Sequence, residues 1–167
     1  THPDTDVLHF WLADDFNNVC ECKACSKKRL SDWYVMILNE IDELLTESGL
    51  GVKIVFLVYM ELYWAPLTEQ IRNPDRFLLM FAPIFRSYTL PFDVTGNWKT
   101  RPPMPYEKNK MTYPSDAAEY LAFLEGWKKA FRGDGFDFDY HLMWDINRDF
   151  GGETIAKVLF EDIRSLK

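Results

Sequence analysis

The chain has 167 residues, which is the size of one domain and enough for a substantial hydrophobic core, so the fold should not need disulfides. Apolar residues make up 47% of the sequence, but no uninterrupted apolar run approaches the roughly 18 residues of a membrane helix. The net charge of -7 provides no basic stripe for a phosphate backbone. We therefore expect neither nucleic acid nor a membrane as a partner.

Four short apolar segments have the composition of buried strands, at residues 7–13, 53–60, 76–84 and 138–144. None of them alternates cleanly with polar residues. Continuous apolar character in short runs is typical of strands that are covered on both faces, as in parallel sheets. The sequence therefore predicts a buried parallel sheet.

Helical patterns stand between and after these segments. The first helix is predicted to follow Ser31 as N-cap and to end at Gly49, the second to run from Ser115 to Gly133, and the third to begin near Glu153. One apolar stripe of each helix should face the core. The stripes are Tyr34, Ile37, Leu38, Ile41, Leu44 and Leu45; Leu121, Leu124, Trp127 and Phe131; and Ile155, Val158, Leu159, Ile163 and Leu166.

With a short helix expected in residues 65–72, strand and helix follow each other four times, which predicts an α/β fold with right-handed crossovers. A doubly wound nucleotide-binding sheet would carry a glycine-rich turn after its first strand, whereas residues 13–22 read ADDFNNVCEC. Polar and aromatic side chains follow each strand instead, as in a (β/α)8 barrel enzyme. They are Asp14 and Asp15; Tyr59, Glu61, Tyr63 and Trp64; Arg86 and Tyr88; and Trp144, Asp145, Asn147 and Arg148.

A complete barrel needs eight strands and roughly 250 residues. The chain therefore corresponds to a parallel (βα)4 half of a TIM barrel, with residues 1–167 as a single domain. An isolated half would leave two strand edges and an inner face uncovered. We expect either a fragment of a longer chain, which is the preferred interpretation, or a half-barrel that associates with a second copy.

Three carboxylates are candidates for catalysis. Hydrolysis of a glycosidic bond uses one carboxylic acid to protonate the leaving oxygen and a second carboxylate as nucleophile or base. Asp14, Asp15 and Glu61 follow neighbouring strands, with Asp15 as the candidate acid and Glu61 as the candidate base or nucleophile. Because consecutive strand residues face opposite ways, we expect at most one of the two aspartates to face the pocket.

Aromatic and charged side chains near these carboxylates suit a sugar pocket, because sugar rings stack on Trp or Tyr while their hydroxyl groups bond to polar side chains. The predicted sugar-binding residues are Tyr59, Tyr63, Trp64, Arg86, Tyr88, Trp144, Asp145 and Arg148. Structural roles compete with this interpretation, since aspartates are common in turns and half of the aromatic residues would pack under the loop 86–114. His9 and His141 are expected to be core residues bonded to the backbone.

Three cysteines, Cys20, Cys22 and Cys25, form one C-x-C-x-x-C segment. A tetrahedral zinc site takes four ligands, commonly from two such pairs, and the second pair is missing here. A structural zinc ion completed from elsewhere, a disulfide such as Cys20 with Cys25, and three reduced thiols all stay open. The predicted chemistry requires no cofactor, and in each case the loop should support the strand end that carries Asp14 and Asp15.

Four stretches of the sequence resemble a known group of proteins: FWLADDFNNVCECKACSKKRLSDWYVMILNEI, VFLVYMELYWAP, NPDRFLLMFAPIFRSY and FDYHLMWD. The chain is similar to bacterial, glycoside-hydrolase-like barrel domains of large carbohydrate-active proteins, which are relatives of the family 20 hexosaminidase and α-glucuronidase barrels. The resemblance spans about residues 7–166 and implies the C-terminal half of a barrel. It also implies a carbohydrate partner and a bacterial protein, either secreted or cytoplasmic.

The two sets of relatives imply different roles for the carboxylates. The hexosaminidase relatives carry an adjacent Asp and Glu after the fourth strand, with the Glu as acid, whereas the matching positions here are Asp14 and Asp15. This departure argues against substrate-assisted chemistry. The α-glucuronidase relatives use carboxylates from different strands, as Asp15 and Glu61 would.

We therefore expect a carbohydrate-active protein that acts as a glycoside hydrolase. One alternative is a non-catalytic carbohydrate-binding or scaffold module of the same fold. Another is a zinc-dependent hydrolase that uses the cysteine loop.

Overall fold

The structure is a computed structural model that describes residues 5–92 and 102–166. Its main elements, in chain order, are β1 (Val7–Phe10), α1 (Leu30–Glu47), β2 (Lys53–Val58), β3 (Phe77–Phe81), α2 (Ala117–Ala130), β4 (Gly135–Asp137) and α3 (Glu153–Ser165). Short 3-10 helices lie at Cys25–Lys27, Met60–Tyr63, Pro74–Arg76 and Asp145–Arg148. Among these residues there is no helix with the length and apolar character needed to cross a membrane.

The strands form one sheet in the order β1-β2-β3-β4, and each neighbouring pair is parallel. The register aligns Phe10 with Phe56, Phe56 with Leu79, and Leu79 with Gly135. The prediction of an α/β fold with a four-stranded parallel sheet is confirmed. The C-terminal ends of all four strands therefore lie at the same end of the sheet, and the loops that follow the strands gather there.

The fourth strand lies earlier in the chain than predicted. It occupies residues 135–137 rather than 138–144, because the chain leaves the sheet after the hydrogen bond from the Phe138 N–H to the Phe81 carbonyl (2.7 Å). Glycine is required at position 135, since a Cβ atom there would lie 2.8 Å from the Leu79 carbonyl oxygen. The apolar segment that follows forms a loop in which Tyr140 packs against the sheet.

The connection between β2 and β3 also differs from the prediction. Residues 65–72 form no helix, so the described chain has three α-helices and the strand and helix alternation is interrupted once. Side chains of α1 bind the backbone amides of this segment: Asp32 accepts from Leu67, Thr68 and Glu69, and Asn39 accepts from Arg72. These bonds hold the segment against α1 without a helical turn of its own.

The first turns of α1 and α2 are capped by carboxylates rather than by the predicted serines. Helix α1 begins at Leu30, so Ser31 lies inside it, and the Asp32 side chain accepts the N–H of the N-cap residue Arg29 (2.9 Å). At α2 the N-cap is Asp116, which accepts the Ala118 N–H (2.7 Å). A charged acceptor satisfies the free amides of a helix start at least as well as a hydroxyl group.

The two faces of the sheet are covered differently. One face packs against α1 and α2 around Phe56, whose ring contacts those of Phe77, Trp127 and Phe131. The other face carries a small cluster of Val55, Leu57, Met80 and Ala82. The main core therefore lies between the sheet and the first two helices.

Apolar side chains are exposed along both edges of the sheet. Of the described strands, β1 and β4 pair on one side only. The exposed fraction lies between 41% and 47% for Val7, Leu8 and Trp11 at the β1 edge and for Phe136 and Phe138 at the β4 edge. Exposed apolar side chains beside an unpaired edge are typical of a surface that contacts further protein.

Helix α3 buries a narrower stripe than predicted. Ile155 and Val158 are buried, whereas Leu159 and Ile163 are 41% and 62% exposed. The third buried position is Asp162, because its carboxylate meets charged partners on the neighbouring loops. The apolar pattern of the helix therefore overstates how much of it is enclosed.

Asp32 joins α1 to the segment between β2 and β3. Its side chain is fully buried, and Oδ1 accepts the N–H groups of Leu67 (2.9 Å), Thr68 (2.7 Å) and Glu69 (3.2 Å). Burial by itself would raise the pKa of Asp32, but hydrogen bonds from these amides and from the Arg29 N–H outweigh it and lower that pKa. The ionised carboxylate is thus favoured by the fold.

We expect Asp32→Asn to lower the free energy of unfolding by about 2 kcal/mol, because an NH2 group replaces one of the accepting oxygens. The contribution of the wild-type carboxylate is fully present above its unfolded pKa of about 3.9 and is lost as the pH falls through the lower folded pKa. Chemical denaturation at neutral pH and at about pH 3 measures both effects. Asp75→Asn, which makes the same change at an exposed position, is the matched control, and equal losses for the two variants would contradict this role.

Candidate functional site

The candidate site is the C-terminal end of the sheet, where all four strands finish. The strands end at Phe10, Val58, Phe81 and Asp137, and the loops beyond them carry the predicted residues. These side chains form two groups. One surrounds Asp14, Tyr59 and Glu61 after β1 and β2, and the other surrounds Arg86 and Asp145 after β3 and β4.

Asp14 and Asp15 lie in an exposed turn after β1. Asp15 has a φ of 60°, and its N–H donates to the Asp14 side chain (2.9 Å). The Asn17 side chain donates to the carbonyl oxygens of Asp14 (3.0 Å) and Asp15 (2.8 Å). The turn therefore holds two carboxylates at the strand end without enclosing either.

Glu61 connects the loops after β1 and β2. It is 6% exposed, and its Oε1 accepts the Asn17 N–H (2.8 Å). It lines a cavity of about 130 Å³ together with Asn17 and Tyr59. One oxygen of this carboxylate is thus engaged by the backbone, which fixes the orientation of the group.

Tyr59 approaches Asp14 from the loop that follows β2, and Tyr140 approaches it from the loop after β4. Burial is the main cause that raises the pKa of both phenols, and the Asp14 carboxylate contributes to each shift, which brings the pKa of Tyr140 to about 12. Both phenols therefore stay protonated near neutral pH and are able to donate hydrogen bonds. We name Asp14, Tyr59, Glu61 and Tyr140 the rim cluster.

A few backbone conformations have positive φ, two of them beside the rim cluster. Among the described residues other than glycine they are Asp15 (60°), Met60 (50°) and Asn109 (59°). Asp15 is the candidate acid itself, Met60 directly precedes Glu61, and Asn109 lies at the cysteine loop, where it accepts the Val19 N–H (2.8 Å). Such conformations cost about 1–3 kcal/mol each and are common at functional sites.

Three of the predicted sugar-binding aromatic residues lie in the core instead. Tyr63 is fully buried and donates its hydroxyl to the Ala82 carbonyl (2.7 Å), and Trp64 is 3% exposed and donates its indole N–H to Met104 (2.6 Å). Tyr88 is also fully buried. Their rings pack against protein and leave no face for a sugar, so we correct their role to a structural one.

Arg86 is likewise enclosed rather than placed in a pocket. Its guanidinium pairs with Asp162 (2.7 Å) and Asp139 (3.3 Å) and lies over the Phe92 ring. His141 Nε2 is 2.9 Å from Asp162 Oδ2, so this histidine is buried as expected but bonded to a carboxylate. The group ties the loops after β3 and β4 to α3. The Arg86 side chain is fully buried, so none of its N–H groups is accessible to a ligand from solvent.

The remaining residues after β4 differ in accessibility. Asp145 is buried and accepts the Tyr88 N–H (2.9 Å), which makes it a loop anchor. Arg148 is exposed and pairs with Asp145 (3.4 Å). Trp144 is 49% exposed and is therefore the predicted aromatic residue most open to a ligand. His9 is exposed beside Trp11, at 5.6 Å between ring centroids, and is not the core residue that was expected.

The three cysteine thiols lie together on the loop between β1 and α1. All three are free, and their sulfur atoms lie within 4.8 Å of one another. Hydrogen bonds from the Cys25 backbone and the Cys20 side chain lower the pKa of Cys22 to about 7. Hydrogen bonds with the Cys22 and Cys20 side chains raise the pKa of Cys25 to about 11.

The described residues of the loop 86–114 cover part of the main core and contact the cysteine loop; residues 93–101 lie outside the described residues. Met104, Tyr106, Met111 and Tyr113 pack against the main core. Lys108 and Asn109 reach the cysteine loop. The described part of this segment therefore ties the candidate site to the core.

Sequence reasoning missed three residues that organise the site: Asn17, Tyr140 and Asp162. Asn17 follows Asp14 at the spacing of a side-chain-capped turn, which is a signal that the sequence does contain. The apolar run 138–144 predicts a strand at Tyr140, and Asp162 lies in a helix where surface exposure is the usual expectation. Their roles depend on contacts between elements far apart in the chain.

Comparisons with known proteins add no neighbour to this description. No protein-family model matches the chain, and no significant match was found among curated proteins or among solved structures.

We expect Arg86→Met to lower the free energy of unfolding by about 3–5 kcal/mol, because it leaves Asp162 and Asp139 buried without their cation. The matched control is Arg148→Met, whose side chain is 79% exposed and whose loss should change stability by less than about 0.5 kcal/mol. Chemical denaturation compares the two variants. Equal stability combined with a loss of sugar binding only in Arg86→Met would return Arg86 to the binding role.

Proposed function

We propose that the protein is carbohydrate-active and that its rim cluster belongs to a glycoside-hydrolase-like site. The observation that carries the proposal is the convergence of Asp14, Tyr59, Glu61 and Tyr140 from three different loops at the end of one parallel sheet. Carboxylates and phenols grouped at this edge are the arrangement in which barrel enzymes place their reactive side chains.

We further propose that the sheet is half of a TIM barrel. Two features support this proposal: the strands are parallel and in sequential order, and apolar side chains are exposed at both edges. In a barrel, further strands would pair with β1 and β4 and cover Trp11 and Phe136. The remaining strands would come from the rest of a barrel or from a second copy of the chain.

The proposed reaction needs a proton donor and a second carboxylate. Asp15 protonates the glycosidic oxygen as its bond to the anomeric carbon breaks, and Glu61 either attacks that carbon or removes a proton from the attacking water. The exposure of Asp15 suits access to a leaving group, and the fixed orientation of Glu61 suits a positioned base. Asp14 holds the Tyr59 phenol beside them.

A non-catalytic carbohydrate-binding module is the second candidate. It is favoured by the state of Glu61, which is 6% exposed and already accepts the Asn17 N–H. In that case Glu61 would serve as a link between two loops, and the sugar would be held by exposed groups. Trp144, at 49% exposure, offers a ring face for stacking.

Hydrolysis of a pooled glycan set by the whole protein distinguishes these functions. If the protein is a hydrolase, Asp15→Asn and Glu61→Gln should each lower kcat by about 10²–10⁴-fold and leave sugar affinity nearly unchanged, because each removes one of the two reacting carboxyl groups. Glu47→Gln and Asp75→Asn repeat these changes at exposed positions away from the rim.

Each outcome of this experiment has one meaning. If the wild-type protein binds sugar without any turnover, and Trp144→Ala weakens that binding, the protein is the binding module. Turnover that is unchanged in both Asp15→Asn and Glu61→Gln would remove the proposed acid and base. The absence of both binding and turnover in the whole protein would overturn the carbohydrate function.

A further inference from the structure

We propose that Cys20, Cys22 and Cys25 bind a single zinc ion through their three thiolates, and that this ion fixes the loop between β1 and α1. The metal site is independent of whether the rim cluster binds a sugar. Three observations support it: the mutual distances of the sulfur atoms, the hydrogen bonds that hold the loop backbone, and the charge beside the thiols.

The sulfur atoms are close to the separation that zinc requires. They lie within 4.8 Å of one another. Tetrahedral zinc with Zn–S bonds of about 2.3 Å places its sulfur ligands about 3.8 Å apart, so each pair needs to close by at most about 1 Å. Rotation of exposed side chains provides a movement of this size, and Cys20 and Cys22 are exposed.

The backbone of the loop is held in place before any metal binds. Lys108 Nζ donates to the Cys25 carbonyl (2.6 Å), and Asn109 both donates to the Val19 carbonyl (2.9 Å) and accepts the Val19 N–H (2.8 Å). Ser26 Oγ donates to the Cys22 carbonyl (2.9 Å). A site in which the ligand-bearing backbone is already fixed binds metal with a smaller loss of conformational entropy.

The surrounding charge favours three thiolates around a divalent ion. Zinc with three thiolates has a net charge of about -1, and the Lys108 ammonium lies against the same loop. Soft thiolate ligands select zinc over magnesium or calcium. Because Cys20 and Cys22 are exposed, water or a further ligand from solvent would be able to reach the ion as its fourth ligand.

The other group of potential ligands in the described chain is less suitable. Asp139, His141 and Asp162 also lie within 4.8 Å of one another, but Arg86 already pairs with both carboxylates. A divalent cation there would face the guanidinium charge in a buried site. Among residues 5–92 and 102–166, no cation is paired with the sulfur atoms of the cysteine loop.

Metal content and cobalt substitution test the site on the whole reduced protein. Protein purified without chelator should contain one zinc per chain by elemental analysis. After chelator removes it, titration with Co²⁺ should produce thiolate-to-cobalt charge-transfer absorption that saturates at one equivalent. Native thiols should react slowly with a thiol reagent when zinc is bound, and all three should react after chelation.

Variants separate ligands from neighbours. Cys22→Ser should weaken zinc binding by more than about 100-fold, because a ligand is lost. Lys108→Met should weaken it about 10-fold, because Lys108 only holds the backbone of the loop that carries the ligands. Ser48→Ala changes an exposed hydroxyl outside the loop and should leave affinity unchanged. Circular dichroism of each variant shows whether the fold is kept.

Two results would overturn the proposal. One is a reduced wild-type protein that contains no zinc and gives no charge-transfer absorption with Co²⁺. The other is a native protein lighter by two hydrogens and with one reactive thiol, which would show a disulfide between two of the cysteines. Both measurements use the wild-type chain and do not depend on how the variants fold.

Discussion

The parallel pairing of four consecutive strands is the constraint on which the rest of the structure depends. Because each strand follows the same direction, β1 to β4 all finish at one edge, and every connection has to return along the outside of the sheet. Helices α1 and α2 use that return to cover one face around Phe56. The loops that follow the strands then share a limited space, which is why Asp14, Tyr59 and Tyr140 meet although they are far apart in the chain.

Within that space, buried polar side chains hold the loops by accepting backbone amides. Asp32 binds the segment after β2, Glu61 binds Asn17, and Asp145 binds Tyr88. A carboxylate is effective in this role because it accepts several N–H groups at once and gains strength in a medium of low polarity. The same residue type therefore serves as an anchor in one loop and as an exposed candidate acid in the next.

Sequence patterns predicted the sheet because continuous apolar runs reflect burial on both faces, a local property of segments such as residues 53–58. They misplaced β4 because the pairing depends on the close approach of Gly135 to Leu79, which composition does not encode. They assigned Tyr63, Trp64 and Arg86 to a pocket because residue type and strand-end position do not reveal which way a side chain turns. For Arg86 the deciding partner, Asp162, lies 76 residues further along the chain.

The way in which α3 is attached has a consequence for the motions of the protein. Its buried contacts are Ile155, Val158 and one carboxylate, Asp162, which joins Arg86 and His141. Burial alone would raise the pKa of Asp162, but the hydrogen bond from His141 and the charge of Arg86 lower it, so protonation at low pH weakens this attachment. The C-terminal helix should therefore exchange its amide hydrogens through subglobal opening, at a lower free energy than the strands beneath α1.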